Sequence, residues 1–135
     1  MRWLLGLAAA LAIVSLGAAI ALAAGRAGAP VEVRIRNSAF APSTVTVPAG
    51  EAVTFVLVND DPIDHEWIVG DEGVHARHRT GTEPAHAERP TEVTVPAGEV
   101  RRTTVVFDIG GSFRFVCHLP GHEAYGMVGT VVVTP

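Results

Sequence analysis

Val31-Glu32-Val33-Arg34-Ile35-Arg36 alternates apolar and charged side chains at every step. A two-residue period of this kind puts the apolar side chains on one face of an extended strand. Further short β-type runs follow at Thr44–Val47, Ala52–Val58, His65–Val69, Thr91–Val95, Val100–Phe107, Phe113–Cys117 and Met127–Val133. Pro-Ala-Gly, Asn-Asp-Asp-Pro, Ile-Gly-Gly and Leu-Pro-Gly separate them, at points where Gly and Pro supply turn dihedrals that strands do not use. No stretch of this body carries a convincing helical period. The sequence therefore predicts an all-β domain, a Greek-key β-sandwich of about eight strands. The hexapeptide Thr46-Val47-Pro48-Ala49-Gly50-Glu51 recurs as Thr94-Val95-Pro96-Ala97-Gly98-Glu99. Each copy lies between two strand-like runs, and the expectation is two similar hairpins closed by Pro/Gly turns.

The chain has 135 residues, room for one domain. At the N-terminus, Arg2 precedes an uncharged apolar run from Trp3 to Ala24, followed by Gly25 and Arg26. This pattern predicts export, by a signal peptide cut near Ala21-Leu22-Ala23 or by an uncleaved anchor helix long enough to span a bilayer. The expected organisation is a leader or anchor over residues 1–23, a Gly/Ala/Pro linker over 24–30 and one domain over 31–135. That domain would lie outside the cytoplasm, periplasmic, extracellular or membrane-attached through residues 3–24, and is expected to be monomeric.

Charge and cysteine content exclude several function classes. Fourteen acidic side chains against ten basic ones, all Arg, argue against nucleic acid as a partner. A single Cys excludes an intramolecular disulfide framework and any site built from Cys alone, whether zinc or iron–sulfur. The segment from Gly70 to Pro90 is polar and carries His75, His78 and His86. It reads as a loop unusually long for so small a domain. His75-x-x-His78 reads there as a solvated surface pair, with a second metal site or a docking surface as the alternative.

The chemistry concentrates in Phe113-Arg-Phe-Val-Cys117-His118-Leu-Pro120-Gly121-His122-Glu-Ala-Tyr-Gly126-Met127-Val-Gly129. A thiol, an imidazole and a thioether stand at Cys117, His122 and Met127, each five positions after the last. A strand ending at Cys117, a Pro-Gly turn and a strand beginning at Met127 would gather all three around one loop. Such a mixed soft donor set suits copper in both oxidation states, and a trigonal His₂Cys site with an axial Met requires one more imidazole. His65, at the start of the run His65–Val69 and after the Asn59-Asp60-Asp61-Pro62 turn, is the best-placed candidate.

With these residues in hand, the chain resembles the cupredoxin family of blue-copper proteins. The resemblance runs from Phe40-Ala-Pro42, Val45-Thr-Val47 and Gly50 through the Cys117 loop to the last strand. It implies one type 1 copper per chain, with His65, Cys117, His122 and Met127 as ligands, and a one-electron carrier whose redox partner proteins dock near His122. The neighbours Leu119, Pro120 and Ala124 would form the docking rim. Two positions depart from the family pattern. Glu66 stands where many small blue proteins have an Asn that helps hold the thiolate. His118 stands beside the Cys, where oxidases carry a His that reaches a trinuclear copper cluster. Six His are too few for such a cluster in addition to a type 1 site, and one Cys is too few for a bridged dinuclear centre. The expectation is therefore a carrier and not an enzyme. The alternative is a copper-binding module for trafficking or storage.

Overall fold

A computed structural model describes residues 28–82 and 88–135. The predicted leader or anchor over 1–23, most of the linker over 24–30, and His86 lie outside the described residues. The observed elements are β1 (Val31–Arg36), β2 (Ala39–Ala41), β3 (Thr44–Pro48), β4 (Ala52–Asn59), β5 (His65–Gly70), α1 (Glu72–Thr80), β6 (Glu92–Val95), β7 (Val100–Val106), β8 (Gly111–Val116) and β9 (Val128–Thr134). The strands form two sheets, β2-β1-β4-β7 and β3-β9-β8-β5-β6. The all-β sandwich predicted from the sequence is the observed architecture, with β2 as a ninth strand.

Alternation places the core. Val33 and Ile35 of β1 are fully buried, and so are Phe55 and Leu57 of β4 and Val131 of β9. Aromatic rings fill the space between the sheets: Phe55 packs on Trp67 with centroids 4.9 Å apart, and Phe40 meets Phe115 edge-on at 5.0 Å. Gly129 on β9 lies under the Phe115 ring, where a Cβ would come within 2.2 Å of two ring carbons and 2.8 Å of the Ser43 carbonyl.

Three expectations are corrected. The first concerns the repeated hexapeptide, which does not close hairpins. β3 and β6 belong to the five-stranded sheet while β4 and β7 belong to the four-stranded one. Each copy therefore carries the chain from one sheet across to the other. Gly50 and Gly98 take left-handed φ values of 73° and 69° to make the bend. One copy sits at the far end, where the Gly50 N–H donates to the Phe107 carbonyl. The other sits at the His65 end, where the Gly98 N–H donates to the Asp61 carbonyl. In both, partners distant in sequence decide the geometry, which local turn chemistry cannot reveal. For the same reason β1 pairs parallel with β4, and β3 parallel with β9, in an otherwise antiparallel fold.

The second correction is α1, in a segment that reads as loop. Its ends carry clear signals: the Asp71 side chain accepts from the Val74 N–H, and Gly81 closes the helix with a φ of 65°. Glu72 in the first turn and Arg77, His78 and Arg79 in the last complement the helix dipole. The helix nevertheless has almost no apolar stripe, so a search for helical period passes over it. It docks through Val74 onto Gly70, where a Cβ would stand 2.7 Å from that of Val74.

The third correction concerns strand ends. Cys117 lies just beyond β8 and Met127 just before β9. The Cys117 N–H donates to the Met127 carbonyl, which closes the base of the loop between them.

Candidate metal centre

Sheet register brings the candidate ligands together. β5 runs antiparallel to β8 with Ile68 opposite Val116, so the first residues of β5 extend past the end of β8, beside the Cys117 loop. His65 and Cys117 are fully buried, and His122 is partly exposed. His65 Nδ1 lies 3.3 Å from His122 Nδ1, and Cys117 Sγ lies 3.2 Å from the same nitrogen. Among the described residues, these three form the group that brings a nitrogen or sulfur ligand atom from each member within 4.8 Å of the others. Met127 is fully buried beneath the loop, and its N–H donates to the His122 carbonyl. Two imidazoles, a thiolate and an adjacent thioether, with the first three already converging, fit the donor chemistry of a copper ion.

The surroundings hold these donors in place. His65 Nε2 lies 2.9 Å from Asp61 Oδ2, which orients the ring and leaves Nδ1 facing His122 and Cys117. Carboxylates behind metal-binding imidazoles do this routinely. Asp61 also accepts the N–H groups of Asn37 at 2.7 Å and Ser38 at 2.8 Å, from the β1–β2 turn. Burial would raise its pKa, but the Ser38 and Asn37 N–H groups and His65 outweigh that and hold it below the usual carboxylate value. Asn59 braces the β4–β5 turn that carries Asp61: its Nδ2 reaches the Val95 carbonyl at 2.9 Å, and its Oδ1 accepts the Asp61 N–H at 3.0 Å. Neither Asp61 nor Asn59 stands out in the sequence analysis. The Asp-x-x-x-His spacing was the one available signal, and it carries little weight without knowledge of the turn that joins the two.

Glu66 answers for the missing Asn. Its backbone N–H donates to Cys117 Sγ at 3.4 Å, and its carboxylate accepts the His118 N–H at 3.2 Å. The residue thus clasps the Cys117-His118 peptide from both sides. Burial pushes the Cys117 thiol pKa up, while the Glu66 and Leu119 N–H groups pull it down. A bound cation would override that balance, because a coordinating thiol is deprotonated outright.

His118 turns away from this group into a second cluster of imidazoles. Its Nε2 lies 3.0 Å from His75 Nδ1, and the His78 ring stacks on it with centroids 5.3 Å apart. His75 is fully buried and His78 partly so, which corrects the expectation of a solvated surface pair. Burial pushes the His118 pKa down to about 4 and lowers that of His75 as well. Arg79 grips Glu123 through two nitrogens, each 2.8 Å from a carboxylate oxygen, and the Glu123 pKa falls to about 2.

Similarity to known proteins agrees with this geometry. The chain is 42% identical over 98 residues to the copper-resistant cuproprotein CopI of Rubrivivax gelatinosus, a match covering 70% of this chain and 59% of that relative. It is 30% identical over 122 residues to auracyanin-B of Chloroflexus aurantiacus, covering 78% of this chain and 52% of that one. The chain thus spans little more than half the length of either relative. The crystal structure of auracyanin from Roseiflexus castenholzii superposes with a TM-score of 0.66 at 25% identity, over 81% of this chain and 99% of that one. Residues 29–134 match the sequence model of the copper binding proteins of the plastocyanin/azurin family. With the sandwich fold and the converging His65, Cys117 and His122, that match places the chain in the plastocyanin/azurin family of copper-binding proteins.

Proposed function

We propose that the chain is an exported one-electron carrier in which His65 Nδ1, Cys117 Sγ and His122 Nδ1, with the thioether of Met127, would hold a copper ion. The convergence of the first three atoms on one point carries this reading. When bound, copper in such a donor set supplies a Cu(II)/Cu(I) couple. The protein's part is to keep the donors still. Asp61 fixes the His65 ring, Glu66 and Leu119 direct N–H groups at the sulfur, and the sandwich buries Cys117 and Met127 away from water. Rigid donors limit the rearrangement that accompanies each change of charge.

His122 is the partly exposed member of the set, and its chain neighbours Pro120, Gly121 and Ala124 are exposed. Electrons would pass through this imidazole edge to a redox partner docked on that rim. The apolar run Trp3–Ala24 supports delivery outside the cytoplasm. The decisive measurement is an optical and electron paramagnetic resonance spectrum of the copper-loaded chain. An intense thiolate-to-copper band and a type 1 signal are expected in the natural chain and absent from Cys117→Ser. Retention of the band in that variant would remove Cys117 from the ligand set.

The second reading, copper handling in place of electron transfer, is favoured by the name of the Rubrivivax relative, a copper-resistant cuproprotein. Tight Cu(I) binding without a coloured Cu(II) form would select it.

A further inference from the structure

Outside the centre just described, the described residues bring together a trio of imidazoles, His75, His78 and His118, contributed by α1 and by the loop after β8. We propose that this trio is a second copper site, which takes a cupric ion on His75 Nδ1, His118 Nε2 and His78 Nε2. The proposal does not depend on which four residues hold the first ion.

The orientation of the rings carries the argument. A metal-binding imidazole usually gives its other nitrogen to a carboxylate or a backbone carbonyl, which fixes the ring and its tautomer. In the first centre Asp61 does this for His65. The same arrangement recurs at His118 and His78, while the buried Nε2 of His75 has no hydrogen-bond partner. His118 Nδ1 lies 3.5 Å from Glu123 Oε2, so its Nε2 faces His75. His78 Nδ1 lies 2.9 Å from the Val74 carbonyl, and its Nε2 lies 4.0 Å from Glu92 Oε2. Glu123 is in turn held by Arg79, as an orienting carboxylate needs to be.

The spacing sets what must move. His75 Nδ1 and His118 Nε2 stand 3.0 Å apart, a hydrogen-bond separation. Metal–imidazole bonds are about 2 Å long, so two such donors across an ion stand at most about 4 Å apart. Opening this pair by up to about 1 Å admits the ion, and the stacked His78 ring, whose Nε2 now faces Glu92, must shift towards the pair to supply the third nitrogen. Two surface pockets give access. One, of about 350 Å³ and lined by Arg79, Leu119, Pro120 and Glu123, opens onto His118. The other, of about 480 Å³ and lined by Glu66, Glu88 and Glu92 among others, opens onto His78. Imidazoles with a carboxylate alongside suit Cu(II), which also heads the affinity order of the divalent first-row metals.

The test loads the full chain with excess cupric chloride, strips loose metal on a chelating resin, and measures copper content with the paramagnetic resonance spectrum. The expected result is two coppers per chain and a second, non-blue signal whose nitrogen couplings count at least two imidazoles. His75→Phe/His78→Asn should retain one copper and the type 1 signal, which also reports that this variant has folded. One copper per natural chain, couplings to fewer than two imidazoles, or persistence of the second signal in the double variant would each overturn the proposal.

Discussion

At the scale of single residues, Asp61 has the widest reach. One carboxylate orients His65, accepts two N–H groups from the β1–β2 turn and, through its backbone carbonyl, receives Gly98 from the crossover between β6 and β7. Replacing Asp61 with Asn keeps the shape but removes the charge behind the imidazole. Losses behind a metal-binding His typically cost about 10- to 100-fold in affinity. A chelator competition should therefore show copper binding to Asp61→Asn weakened by that order, with the type 1 signal still present at saturation. Unchanged affinity would show that Asp61 braces the turn without acting on the metal.

At the scale of elements, helix α1 and strand β9 differ in what they tolerate. The Asp71 side chain caps the start of α1, and Asp71→Ala should cost about 1 kcal/mol in chemical denaturation. Gly129 on β9 faces backbone and an aromatic ring, neither of which yields easily. Gly129→Ala should cost about 1–3 kcal/mol, the range for overfilling a packed interior. A smaller loss would mean that Phe115 swings aside. These two elements also show what the sequence discloses. The Val131/Val133 alternation of β9 is explicit because burial on one face imposes a period. Helix α1 is held by its caps, by Val74 on Gly70 and by His75, His78 and Arg79 against the loop after β8, and none of these creates an apolar period. Cys117, His122 and Met127 were legible for a related reason: they share one loop, so their spacing is itself structural information. His65 was placed by its position at a strand start. Asp61, Asn59 and the clasp of Glu66 depend on contacts between segments distant in sequence, and no local pattern encodes them.

At the scale of the whole molecule, acid should act on the metal-free protein in two overlapping steps. The His118 pKa is lowered from 6.5 to about 4, so the fold favours its neutral ring; that contribution is complete above pH 6.5 and lost as pH falls towards 4. The Glu123 pKa is lowered from 4.5 to about 2, so its contribution is complete above pH 4.5 and lost as pH falls towards 2. Urea midpoints measured against pH should fall through both windows, and Glu123→Gln should flatten the lower one. An unaltered profile below pH 4.5 in that variant would mean that the Arg79–Glu123 pair contributes nothing net.

The parallel pairing of β3 with β9 sets Thr44 beside Thr130, residues near opposite ends of the domain. Contacts so distant along the chain form late, and sandwiches built on them fold in milliseconds to seconds. Cys117, His122 and Met127 need no such wait, since a single short loop carries all three. His65 joins them only when β5 has docked on β8. The loop is therefore able to meet a metal ion while the sheets are still assembling, and the site becomes complete only when β5 has docked on β8.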